Sequence, residues 1–94
     1  MASAGTATLS FGSTPTDTAS VTVTGLSGIT TGTHKEAFVQ GDDSTVDNNA
    51  AAHLLLGFAG RFTCEYVSST SIKINCDLLM WQASGDFTIH YVIA

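Results

Sequence analysis

Gly32-Thr33-His34-Lys35-Glu36-Ala37-Phe38-Val39-Gln40-Gly41-Asp42-Asp43-Ser44-Thr45-Val46-Asp47-Asn48-Asn49-Ala50-Ala51-Ala52-His53-Leu54-Leu55-Leu56 is the stretch on which the fold turns. A strand-like run ending at Gln40 enters an acidic turn, and the turn opens the one helix-like segment of the chain. Ser44 stands where an N-cap would, and Asp47 three residues on completes a capping box with Asp in place of Glu. Asp42, Asp43 and Asp47 favour the positive end of a short helix. The sequence therefore predicts a helix from about Thr45 to Leu55, ended by Gly57. Either side of it the pattern is plain β.

Upstream, Ala19, Val21 and Val23 alternate with Ser20, Thr22 and Thr24, a half-buried strand. Gly25, Gly28 and Gly32 punctuate a loop in which Ile29 is expected to plug the end of the core. Residues 1–14 are small and polar, with Leu9 and Phe11 as the large apolar side chains. They read as an N-terminal arm, flexible or strand-adding, before a single domain over 15–94, although the weak alternation from Thr6 to Phe11 also fits an edge strand.

Downstream, Phe62, Cys64 and Tyr66 share one face, and Ile72, Ile74 and Cys76 share another. A loop at Ser69-Thr70-Ser71 would set Tyr66 opposite Ile74 and Cys64 opposite Cys76. A second hairpin at Ala83-Ser84-Gly85 would set Trp81 against Phe87 and Leu79 against Ile89. Phe87, Ile89, Tyr91 and Ile93 alternate to the end of the sequence. Short strands, regular turns and no β-α alternation predict an all-β fold: a small sandwich or jelly-roll-like barrel with one short helix.

Composition narrows the function. The 94 residues carry a net charge of −5, and charged residues make up 12%, about half of the usual ~25%. A surface with so few charges suits burial in interfaces, where charged residues are depleted. Lys35, Arg61 and Lys73 are the fixed cations, too scattered to neutralise phosphates, so no nucleic-acid partner is expected. The longest apolar run, Ala50 to Ala59, falls short of the ~20 residues of a membrane span, and no secretory leader is read at the N-terminus. The expectation is synthesis in a cytosol and no membrane partner.

Reactive residue types yield little. Cys64 and Cys76 are too far apart for a CxxC site; a cross-strand disulfide fits the expected register, but in a cytosol two reduced, packed thiols are expected. His34, His53 and His90 lie on three elements without metal-ligand spacing. The Asp42–Asn48 oxygens do not follow a calcium-loop order. Gly41-Asp42-Asp43-Ser44 faintly resembles the Gly-Asp-Ser of some lipolytic hydrolases, but Asp86 and His90 are one residue too far apart for that family's closing motif. Trp81, Tyr66 and Tyr91 could stack on sugar, although alternation assigns at least two of them to the core. No catalytic residue, cofactor or metal is expected.

Three runs carry a resemblance: Pro15-Thr16-Asp17-Thr18-Ala19-Ser20-Val21-Thr22-Val23-Thr24-Gly25, Glu36-Ala37-Phe38-Val39-Gln40-Gly41-Asp42, and Phe87-Thr88-Ile89-His90-Tyr91-Val92. Over about Pro15 to Ala94 the chain resembles small all-β structural proteins of tailed bacteriophages, with Phe38 where related chains more often have Trp, and with Asp43 inserted into a Gly-Asp-Ser-Thr run. The resemblance implies a virion component, made in the host cytoplasm. On this reading it is a non-enzymatic capsid decoration or cement protein on the capsid surface, a homotrimer bound to the major capsid protein. Leu9, Phe11, Asp42 and Asp43 are its candidate partner-binding residues. The alternative is a receptor- or glycan-binding module of a tail fibre.

Overall fold

The structure is a computed structural model that describes residues 3–94. Six strands and one helix follow in order: β1 (Ser3–Ser10), β2 (Thr18–Val23), β3 (Lys35–Phe38), α1 (Ala50–Ala59), β4 (Gly60–Ser68), β5 (Ser71–Leu78) and β6 (Asp86–Ile93). They form two three-stranded antiparallel sheets, ordered β1-β6-β3 and β2-β5-β4. The two sheets face each other across one core, so the fold is a small all-β sandwich with one short helix.

The two central strands supply most of that core. Phe87, Ile89, Tyr91 and Ile93 of β6 and Ile72, Ile74, Cys76 and Leu78 of β5 are buried at every second position. Each fully buried Ile or Phe contributes ~1.5–3 kcal/mol of transfer free energy. Ala19, Val21 and Val23 pack onto this core from β2, and Ile29 closes it from its loop.

Four expectations need correction. The first is the arm. Residues 3–10 are β1, paired with β6 from Ser3↔Ile93 to Ser10↔Asp86. Leu9 is 0% exposed and Phe11 5%, with the Phe11 ring set edge-on against Phe87 at 5.6 Å. Burial of these two large side chains makes the strand part of the domain. Met1 and Ala2 of the expected arm lie outside the described residues.

The second is the helix. It starts at Ala50, not Thr45, because Asn49 is its N-cap: the Asn49 side chain accepts from the Ala52 amide at 2.9 Å. It runs through Gly57 and ends at Gly60. The third is the β4–β5 register. Cys76 lies opposite Phe62 and Cys64 opposite Ile74, with an irregularity between Tyr66 and Ser68. The turn is tighter than expected, joining Ser68↔Ser71, and the bulge absorbs the difference.

The fourth is the second hairpin, which does not exist. β5 and β6 belong to different sheets, and residues 79–85 cross between them, tied by an isolated bridge between Thr16 and Ala83. Leu79 is exposed on this crossing instead of facing Ile89. The crossing ends at Gly85, with φ +80°; a Cβ there would lie 2.7 Å from Asp47 Cβ. Both the backbone and the space require glycine.

Candidate functional site

The most elaborate polar arrangement lies along one edge of β6. On one side β6 is covered by β1 down to Ser10↔Asp86; on the other, β3 stops at Phe38↔His90. Past His90 that edge has backbone groups with no strand to meet them, and buried backbone groups must find partners. Side chains from the loop between β3 and α1, and from α1 itself, provide them. The Thr88 amide donates to His53 Nε2 at 2.9 Å. The Asp86 amide donates to Asp47 Oδ2 at 3.1 Å, and the Asp86 carbonyl accepts from Thr45 Oγ1 at 2.7 Å and from Asn48 Nδ2 at 2.9 Å.

The same bonds assign the His53 tautomer. Nε2 accepts, so the ring is neutral and Nδ1 carries the proton. Nδ1 lies 3.0 Å from the Asn49 carbonyl, which also receives the His53 amide. The ring is fully buried and meets Phe87 edge-on at 5.0 Å. His53 is thus a satisfied core histidine that stands in for a strand.

Nearer β3, Asp43 joins the loop to the strand. Its Oδ1 lies 3.0 Å from His90 Nε2, and its Oδ2 accepts from the Gln40 amide at 2.9 Å. The Asp43 amide returns to the Gln40 carbonyl at 3.1 Å, closing a tight turn. Phe38, opposite His90, stacks on its imidazole at 5.7 Å and 15°. Burial pushes the Asp43 carboxyl up, but the His90 hydrogen bond, the Gln40 amide and the charge of His90 outweigh it and hold the group below the ordinary carboxylate value.

Beside this edge the helix presents an apolar groove. Val39, Gly41, Ala51, Leu54, Leu55, Gly57 and Phe58 line about 620 Å³. α1 has no charged residue; it buries His53 and Leu56 but leaves Leu54 63% and Phe58 89% exposed. Gly57 lets the chain approach closely, since a Cβ there would lie 2.7 Å from Val39 Cγ1.

The structure separates the residues singled out in the sequence. Leu9 and Phe11 are core and cannot contact a partner in the folded chain. Asp42 is exposed, whereas Asp43, beside it, is committed to His90 and Gln40. Ser44 caps nothing: the N-cap is Asn49. His34 pairs with Glu36 at 3.2 Å on the surface, away from the roles of His53 and His90. Among the described residues no group of three His, Cys, Asp or Glu side chains could hold a metal, and no helix is long and apolar enough to cross a membrane.

Cys64 and Cys76 are free and sit diagonally on paired strands. Burial, assisted by Asp77 and opposed by a hydrogen bond to the Arg61 backbone, pushes the Cys76 thiol up to about 11. Burial also raises Cys64, with Lys35 lowering it and Glu36 raising it. Thiols shifted in this direction are poor nucleophiles. Of the three aromatics considered for sugar stacking, Tyr91 is buried, Trp81 half-buried and Tyr66 exposed, so they do not make a platform.

The roles of Asn48, Asn49 and His53 were missed in the sequence. Asn49 had a signal: Asn directly before three alanines is a stronger N-cap than Ser44 in front of β-branched Thr45 and Val46. Comparison with known protein families, with curated proteins and with solved structures gives no match.

Proposed function

We propose that this chain is a non-enzymatic structural protein of a tailed-phage virion, a decoration or cement protein that binds the outside of the assembled head. The observation that carries the reading is the uncharged face of α1, where Leu54, Leu55 and Phe58 stand exposed beside Val39 on an otherwise acidic small domain. A contiguous apolar surface of this kind marks an interaction site. The resemblance of the β2, β3 and β6 runs to phage structural proteins implies a virion component, and the proposal assigns a shell subunit as its partner. The polar residues nearby complete the β6 edge, which suits a rigid binding module better than a chemical one.

On this reading the copies assemble as a homotrimer, are made in the host cytoplasm and remain on the capsid surface. The contact with the major capsid protein runs through α1, replacing the Leu9–Phe11 contact expected from the sequence. The test is co-sedimentation of the purified protein with undecorated heads, joined to electron microscopy of virions labelled for this chain. Label over the head with saturable co-sedimentation is expected. Label on the tail, with no sedimentation, would overturn the reading in favour of a tail-fibre module.

A further inference from the structure

β4 is the last strand of its sheet, paired with β5 on one side only; β3, beside it, belongs to the other sheet. Among the described residues no backbone–backbone hydrogen bond outside the β5 ladder engages residues 61–67. The other side of β4 therefore presents amides and carbonyls to solvent, a template on which a further strand can add. Arg61, Thr63 and Glu65 stand on the solvent face of β4, and half-buried Phe62 and Cys64 on its inner face. Across the ladder Arg61 lies opposite Asp77, Thr63 opposite Asn75, and Glu65 opposite Lys73, whose Nζ is 3.8 Å from Glu65 Oε1. Charge guards an edge when a second copy would meet its own sign. Here the signs are opposite and set evenly about Thr63. None of the other edge strands has this pattern: β1 and β2 carry no charge, and Lys35 and Glu36 of β3 are adjacent and so point to opposite faces.

We infer that the open edge of β4 pairs antiparallel with the same edge of a second copy, about a two-fold axis through Thr63. In that register Thr63 meets its own counterpart, Arg61 meets Glu65 of the second copy, and Glu65 meets Arg61 of the second copy. The outer face of the joined sheet then runs from Asp77 to Arg61, and on to Glu65 and Lys73 of the second copy. The signs alternate across the seam, and opposite charges set directly across strands are favourable. On the inner face Phe62 meets Cys64 of the second copy, apolar against apolar. Moving the axis by one residue either way puts Arg61 opposite Val67 or Thr63 of the second copy and breaks both ion pairs. Charge therefore fixes the register where alternation alone would leave it open.

An isologous contact closes on itself as a dimer and cannot complete a ring of three. It stands beside a threefold seam instead of forming it, and on a shell it joins one trimer to the next. That role rests on the shell reading; the pairing itself does not. The contact is small: one short strand a side, against the roughly 20–30 residues a side of a standard interface. Its exposed ion pairs each contribute little. Free copies therefore pair transiently, whereas copies held side by side on a shell meet at a high effective concentration.

The test is oxidative cross-linking of the full chain carrying Thr63→Cys and Cys64→Ser, in which the remaining thiol, Cys76, is buried. Directly opposed residues of antiparallel strands lie within the Cα separation a disulfide spans, so this variant should form a covalent dimer under mild oxidation. Ser20→Cys in the same Cys64→Ser background is the control, exposed on β2 at the far edge of the sheet, and should cross-link at least about tenfold more slowly. Arg61→Glu and Glu65→Arg, each added to Thr63→Cys, set like charges against each other at both ends of the seam and should slow cross-linking roughly fivefold. Both residues are exposed, so the fold should hold, and circular dichroism checks it. Mixed in equal amounts, the two variants again meet opposite charges and should recover the parent rate as a heterodimer. Equal rates for Thr63→Cys and Ser20→Cys, or a mixture no faster than either variant alone, overturns the pairing. Oxidation after binding to undecorated heads separates the readings. Faster cross-linking on heads than in free protein supports the linking of trimers, and an equal rate overturns that role. Cross-linking in solution by protein that does not sediment with heads removes the shell reading and leaves the pairing standing.

Discussion

At the scale of single residues, the loop between β3 and α1 does the work of a strand with side chains. Asn49 is its pivot: its side chain caps Ala52, and its carbonyl takes both the amide and Nδ1 of His53. Asn49→Ala should cost ~1 kcal/mol, within the ~0.5–2 range of lost N-caps, whereas Ser44→Ala should leave urea unfolding unchanged. A loss from Ser44→Ala equal to that from Asn49→Ala would contradict the cap assignment. Asp43 gives a pH prediction. Its carboxyl is held below the ordinary value in the folded chain, so the unfolded chain binds a proton there first. Its stabilisation is complete above the unfolded value near 3.9 and fades as pH falls through the lower folded value. The acid limb of a stability–pH profile should therefore be shallower in Asp43→Asn, and superimposable limbs would refute this.

At the scale of elements, β1 is where sequence and structure part most instructively. Its alternation is weak because Gly5 and Ala7 fill inward positions on an edge strand. Small residues there leave room for the Tyr91 ring, whose hydroxyl would lie 2.6 Å from a Cβ on Gly5. The central strands were legible because both partners demand apolar side chains on one face, and β5 and β6 show that demand cleanly. Registers were less so. Sliding β4 by two residues along β5 keeps every side chain on its own face, so alternation fixed the face and left the offset to the Tyr66–Ser68 bulge. Likewise, aromatic and aliphatic residues that match in a hairpin match equally well across a sandwich, and residues 79–85 make the second arrangement. For β1 the prediction reverses the arm expectation. Leu9→Ala should cost ~2–5 kcal/mol by cavity formation, measured by urea unfolding of the full chain. A cost below ~0.5 kcal/mol would mean that β1 is detachable after all.

At the scale of the whole molecule, the low charge and the uncharged helix face bear on the same question: what the protein touches. The groove was only half legible, since the apolar run Ala50 to Ala59 is plain in the sequence but its exposure is not. That exposure follows from topology: α1 links a strand of one sheet to a strand of the other at the margin of the core, where His53 and Leu56 find cover and Leu54 and Phe58 do not. Serine at Leu54 and Phe58 removes apolar surface that the isolated domain does not bury, and surface substitutions of this kind usually change stability by no more than ~0.5 kcal/mol. The double variant Leu54→Ser, Phe58→Ser should therefore melt with wild type, yet its affinity for undecorated heads should fall at least ~10-fold, as for side chains central to an apolar contact. Sedimentation equilibrium on the same pair of proteins decides which contact α1 makes. If α1 faces the shell, both should sediment as the same homotrimer and only head binding should change. If α1 is instead the seam between copies, the variant should fall apart to monomers before any head is added, and the shell contact would have to lie on another face.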